Sequence, residues 1–275
     1  MNLRSKLLAV AILGGIVIYG PSFEVQSDLS IFSDDSELIM SEKRLSLSAS
    51  ELSTLKAETG AGKLEIQGVE GLAEIELVAN VYAYDDTEIE LSLNKNSDRA
   101  ELIAKVVTEY NFDQSPYIDL MVRMPAAMVL DIKDGSGSIK IDAMMADIKI
   151  HDGSGSIAID GGKDLAITDG SGSISIKANQ GNIALVDGSG SINLENVGGD
   201  LAIEDGSGSI NINKAAGNVA IKDGSGGINI EHVQGLVVIN DGSGSINVKH
   251  AKGLTVKNAG SGSVNYSDID GPVNL

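Results

Sequence analysis

The chain has 275 residues, 42% hydrophobic and 3% aromatic, with 39 Asp and Glu against 20 Lys and Arg, a formal charge of −19. That apolar content fills a packed core and excludes a disordered polymer. The acidic excess excludes nucleic acid and anionic lipid as main partners, because phosphate binding needs clustered Lys and Arg, and the lack of cysteine excludes disulfides and thiolate metal sites.

At the N-terminus, Arg4 and Lys6 precede the apolar run Leu7 to Tyr19, and Gly20-Pro21-Ser22 comes after it. This is the layout of a secretory signal, and the run is short of the roughly 20 residues of a membrane span. Residues 1–22 therefore read as a signal peptide or N-terminal membrane anchor, and the expected location is outside the cytoplasm, in the periplasm or at the cell surface. Residues 23–42, rich in Ser, Asp and Glu, read as a polar tether.

From residue 43 to 125 the pattern is period-two alternation: Leu45, Leu47 and Ala49; Leu64 and Ile66; Ile75, Leu77 and Ala79; Ile89, Leu91 and Leu93; Ile118, Leu120, Val122 and Met124. These are strands with one buried face, an irregular β region that caps or continues the regular repeats C-terminal to it. Gly60-Ala61-Gly62 followed by Leu64 and Ile66 has the form of a diverged copy of the later repeat.

Residues 126–275 are periodic. Asp-Gly-Ser-Gly-Ser-Ile, with small variations, starts at Asp134, Asp152, Asp169, Asp187, Asp205, Asp223 and Asp241, in steps of 18 residues except for one of 17, and an eroded copy starts at Ala259. A short fixed period means stacked coils. With each Asp as position 1, apolar residues fall at positions 6, 8, 11, 15 and 17, as in Ile192, Leu194, Val197, Leu201 and Ile203. That gives two short strands per coil. The expected fold is all-β, a parallel β-solenoid (β-helix) with 18-residue coils, whose core is the ladder Ile139, Ile157, Ile174, Ile192, Ile210, Ile228 and Ile246.

Within the corner, the glycines permit positive φ, and the Asp can accept hydrogen bonds from the turn amides just after it. A second reading starts from repulsion between stacked carboxylates: the column Asp134, Asp152, Asp169, Asp187, Asp205, Asp223 and Asp241 would be a calcium ladder, calcium being satisfied by carboxylate and backbone oxygens. Otherwise no cofactor is expected. Ser at position 5 and Asn at position 7 should face outward, making Ser191, Asn193, Ser209, Asn211, Asn229, Ser245 and Asn247 a regular lattice for a repetitive surface. Its partner would be an extracellular or envelope surface, a polymer or a protein. His151, His232 and His250 form no complete column, Ser and Asp recur in nearly every coil, and Gly-Ser-Gly leads into a strand instead of a helix. Neither a triad nor a phosphate loop is indicated, and the chain is expected not to be an enzyme.

The signal segment, the acidic alternating region ending at Met124-Pro125, and the Gly-x-Gly-x-Ile repeats with intervening Gly turns together resemble the bacterial "putative adhesin" domain family, over residues 43–275. The resemblance implies a β-solenoid of unassigned biochemical function, with an adhesion or envelope-scaffold role and no catalytic residues to carry over. The uniform Asp-Gly-Ser-Gly corners depart from that family's pattern.

Overall fold

Alternation of apolar and polar residues makes strands throughout. The computed structural model describes residues 38–107 and 115–275, together with the backbone of three short strands, Ala11–Leu13, Ile16–Tyr19 and Phe23–Glu24. Most of the signal or anchor expected at residues 1–22 and of the tether expected at residues 23–42 lies outside the described residues; residues 39–42 of that tether belong to the strand Ile39–Ser48. Among the described residues there is no helix, and thus none long and apolar enough to cross a membrane. The chain divides into two units, residues 1–137 and 138–275.

The first unit mixes parallel and antiparallel pairing. Strand Glu74–Ala83 runs antiparallel to both Ile39–Ser48 and Tyr117–Pro125, and Ile89–Asn96 runs antiparallel to Arg99–Val106. Coil-like parallel pairing runs beside these hairpins: Ala61–Val69 pairs with Tyr117–Pro125, and Thr54–Thr59 pairs with both Arg99–Val106 and Val129–Lys133. The buried faces are the alternating sets read from the sequence, among them Leu64, Ile66, Ile75, Leu77, Leu91, Leu93, Leu120 and Val122. Gly60-Ala61-Gly62 is a diverged corner: a Cβ on Gly137 would meet the Gly62 carbonyl oxygen at 1.8 Å, so the two corner backbones touch as successive coils do.

The second unit is a β-solenoid. Its short strands Ile148–Asp152, Leu165–Asp169, Ile183–Asp187, Leu201–Asp205 and Val219–Asp223 pair parallel and in register. The longer strands Gly155–Gly161, Gly172–Lys177, Gly190–Val197 and Gly208–Ala215 do the same. A repeat of 18 residues makes like positions face each other, so Ile174, Ile192, Ile210, Ile228 and Ile246 are paired partners, coil after coil. Each of these is fully buried, and burial of one such side chain is worth about 1.5–3 kcal/mol. Parallel columns at Ile167, Leu185, Ile203, Ile221 and Ile239 complete the core.

The coil of 17 residues, from Asp152 to Asp169, loses its residue in the turn. Gly161 and Gly162 both take positive φ there (104° and 84°). Asn179 on the next coil stands at the inward position that Val197 and Val233 hold elsewhere. It is 3% exposed, and its Nδ2 donates to the carbonyls of Gly162 (3.4 Å) and Lys163. Those carbonyls also accept the amides of Gln180 (3.0 Å) and Gly181 (3.1 Å), so Asn179 adds a second hydrogen bond to each, while its own Oδ1 is buried without a partner.

Candidate functional site

Four columns of polar side chains run along the second unit. The first is the corner column. In each short strand the inward positions alternate, as in Leu201, Ile203 and Asp205, so the Asp continues the buried face of the strand. Asp152, Asp169, Asp187, Asp205, Asp223 and Asp241 are 0–6% exposed. They are paired partners in successive parallel strands, which sets like atoms about 4.8 Å apart. In every one, Oδ1 accepts the amide N–H of the serine two residues on, at 3.0–3.3 Å. Oδ2 is buried without a hydrogen-bond partner. Asp134, in the first unit, accepts the Thr59 hydroxyl on Oδ1.

Burial is the main force on these carboxyls and raises them all above the ordinary aspartate range. For Asp169 and Asp223, with a carboxylate on either side adding repulsion, the value is raised to about 6. The turn amides oppose the rise without cancelling it, since hydrogen bonds to the charged form favour it.

Calcium takes 6–8 oxygen ligands. A gap in this column is flanked by one free Oδ2 from each neighbouring coil, and among the described residues no group of three acidic or histidine side chains is placed to hold a metal.

The second column faces solvent. Asn211 Nδ2 donates to Asn193 Oδ1 (3.0 Å), Asn229 to Asn211 (3.0 Å), Asn247 to Asn229 (2.9 Å) and Asn265 to Asn247 (3.0 Å). An amide side chain has two N–H donors and two lone pairs on its oxygen. Each inner rung spends one of each on its neighbours and presents one of each outward, at a period of about 4.8 Å. The serine row beside it is less regular: Ser191 is half-buried, Ser209 and Ser245 are exposed, and the row is interrupted at Gly227.

The third column, at position 10, was legible in the sequence only as His232 and His250 sharing that position in adjacent coils. Ala178, Asn196, Lys214, His232, His250 and Asp268 all take left-handed φ, between 51° and 64°. The conformation stacks their side chains on one outer edge: the imidazoles of His232 and His250 lie parallel at 4.8 Å, His250 Nε2 is 3.6 Å from Asp268 Oδ2, and His232 Nδ1 is 3.3 Å from Asn213 Oδ1. At position 14 a further ladder holds the turns. Asp164 Oδ1 accepts the Asn182 amide, Asn182 Oδ1 that of Asp200, Asp200 Oδ1 that of Asn218, and Asn218 Oδ1 that of Leu236, at 2.7–2.9 Å. Its signal was the Asp and Asn recurring at that position.

A stacked solenoid built on this repeat is matched by one family model across residues 26–270, that of Toastrack DUF4097. The chain belongs to that family. No curated protein matches it. Among solved structures, a "putative cell adhesion protein" from Clostridium sporogenes is similar at 15% identity, over 86% of this chain and 98% of that one, with a TM-score of 0.33. A "putative adhesin" from Parabacteroides distasonis is similar at 12% identity, over 87% and 98%, with a TM-score of 0.39. A "putative lipid binding protein" from the same organism is similar at 14% identity, over 85% and 97%, with a TM-score of 0.36. At these values the fold of this Toastrack chain rests on its own strand register and the family on the sequence match.

Proposed function

We propose that this Toastrack chain is an exported, non-enzymatic solenoid that serves the cell envelope as an adhesin or scaffold, holding a repetitive partner on its asparagine face. The carrying observation is the asparagine column, which offers a spare donor and acceptor per coil on an exposed face. Asn193, Asn211 and Asn229 line an open groove with Ser175, Glu195 and Glu231, and a row of like donors and acceptors along it suits a polymer or protein segment with a matching repeat. His232 and His250 are exposed in the edge column and His151 is exposed on the outer face of its strand, so the three are not gathered in one site.

Protease treatment of cells carrying a C-terminally tagged chain tests the location. Digestion on intact cells supports the adhesin; protection until the outer membrane is opened supports the envelope scaffold. Recovery of the full chain in the cytosol overturns both.

A further inference from the structure

We propose that the aspartate column is an acid-responsive spine: its buried carboxyls take up protons as the surroundings acidify, and the solenoid of the second unit becomes more stable as they do. The geometry carries this. Each carboxyl has one oxygen satisfied by a turn amide and the other enclosed without a partner. The groups facing each aspartate are the aspartates of the coils before and after it. The inward neighbours along the chain are aliphatic, Ile203 and Ile210 for Asp205. Among the described residues, the basic group acting on the aspartates from Asp152 to Asp241 is His151, next to Asp152. Among the described residues of this unit the buried polar side chains are these aspartates and Asn179, so no buried cation neutralises the row. Ionised, the column sets like charges about 4.8 Å apart out of water, an arrangement that costs several times what it would in solvent. A proton removes the repulsion and the desolvation together, without moving a strand.

The direction is set by linkage. A carboxyl raised on folding, as Asp169 and Asp223 are from 3.8 to about 6, favours the fold fully below about pH 4 and loses that contribution as pH rises through about 6. Salt-bridged carboxylates do the opposite.

The test is urea unfolding of the full chain between pH 8.5 and 5.5. Wild type should show an unfolding constant at least about tenfold smaller at pH 5.5. A triple variant, Asp169→Asn, Asp205→Asn and Asp241→Asn, leaves no two column carboxylates adjacent between Asp152 and Asp241; it should be more stable than wild type at pH 8.5 and lose most of the pH slope. A control with three exposed carboxylates neutralised, Asp160→Asn, Glu65→Gln and Glu90→Gln, should keep the slope. A slope that survives the column variant, or wild type that weakens on acidification, overturns the proposal. So does a rise in midpoint with calcium at pH 8.5 as large as the rise with acid, which would make the counter-charge a metal. Should the column variant fail to fold, carbon-13 NMR of the wild-type aspartate carboxyls decides. Titration of the column well above the ordinary range supports the spine, and titration within that range overturns it.

Discussion

Gly208 and Gly227 lie one coil apart in the same corner motif and differ completely in what they tolerate. Gly208 has φ 145°, and a Cβ there would lie 1.6 Å from the Gly190 carbonyl oxygen. Backbone would have to shift, so Gly208→Ala should cost about 3 kcal/mol or more. At Gly227, where other coils carry Ser, a Cβ meets nothing within 4 Å, and Gly227→Ser should stay within about 0.5 kcal/mol of wild type. Urea midpoints of the two variants check the pair. The strand beyond the corner gives a second contrast. Ile192 is fully buried, whereas Asn193 is exposed. Ile192→Asp should cost more than about 4 kcal/mol, since it buries an unpaired charge, and Asn193→Asp about 1 kcal/mol at most. Equal losses would reverse the assignment of inward and outward faces.

At the scale of the element, each coil carries a residue in left-handed φ where its longer strand ends. For a lysine this conformation costs about 1–2 kcal/mol, whereas asparagine visits it readily. Lys214→Asn should therefore raise the stability by up to about 1 kcal/mol, read as a higher melting midpoint; a fall would mean that the Lys214 stem contributes more by packing than its backbone loses. The same coil shows what the sequence could and could not convey. The 18-residue spacing and the apolar sites at positions 6, 8, 15 and 17 were enough to place every inward Ile, because register and alternation are both short-range. The inward aspartate was written in the same alternation, Leu201, Ile203, Asp205, yet its charge argues for solvent, and only the closed corner shows that the pleat prevails. Position 10 carried no signal beyond the His232 and His250 pair, since Ala, Asn, Lys, His and Asp share no chemistry and have only a backbone angle in common. The antiparallel pairs of the first unit, such as Ile39–Ser48 with Glu74–Ala83, were visible as strands but not as partners, because that pairing joins segments distant in sequence.

At the scale of the whole molecule, 39 acids against 20 bases make self-repulsion a general term of stability. Most of the charges among the described residues are exposed, and with about half as many bases as acids, ion pairs such as Lys252–Asp270 at 3.0 Å and Lys249–Glu231 at 3.2 Å cannot compensate them all. Salt acts on that exposed population. Its screening length falls from about 30 Å at 0.01 M to about 8 Å at 0.15 M, while buried charges are screened far less. Sodium chloride should therefore raise the melting midpoint at pH 8 in the wild type and in the triple Asn variant by similar amounts. The pH slope of the wild type, if it resides in the buried column, should survive the salt. Thermal unfolding at the two ionic strengths and at pH 5.5 and 8 separates these contributions. A slope that disappears in 0.15 M salt would locate the acid response on the surface, where any chain of this charge would show it, and would leave the inward aspartates with a purely architectural role in closing the corner.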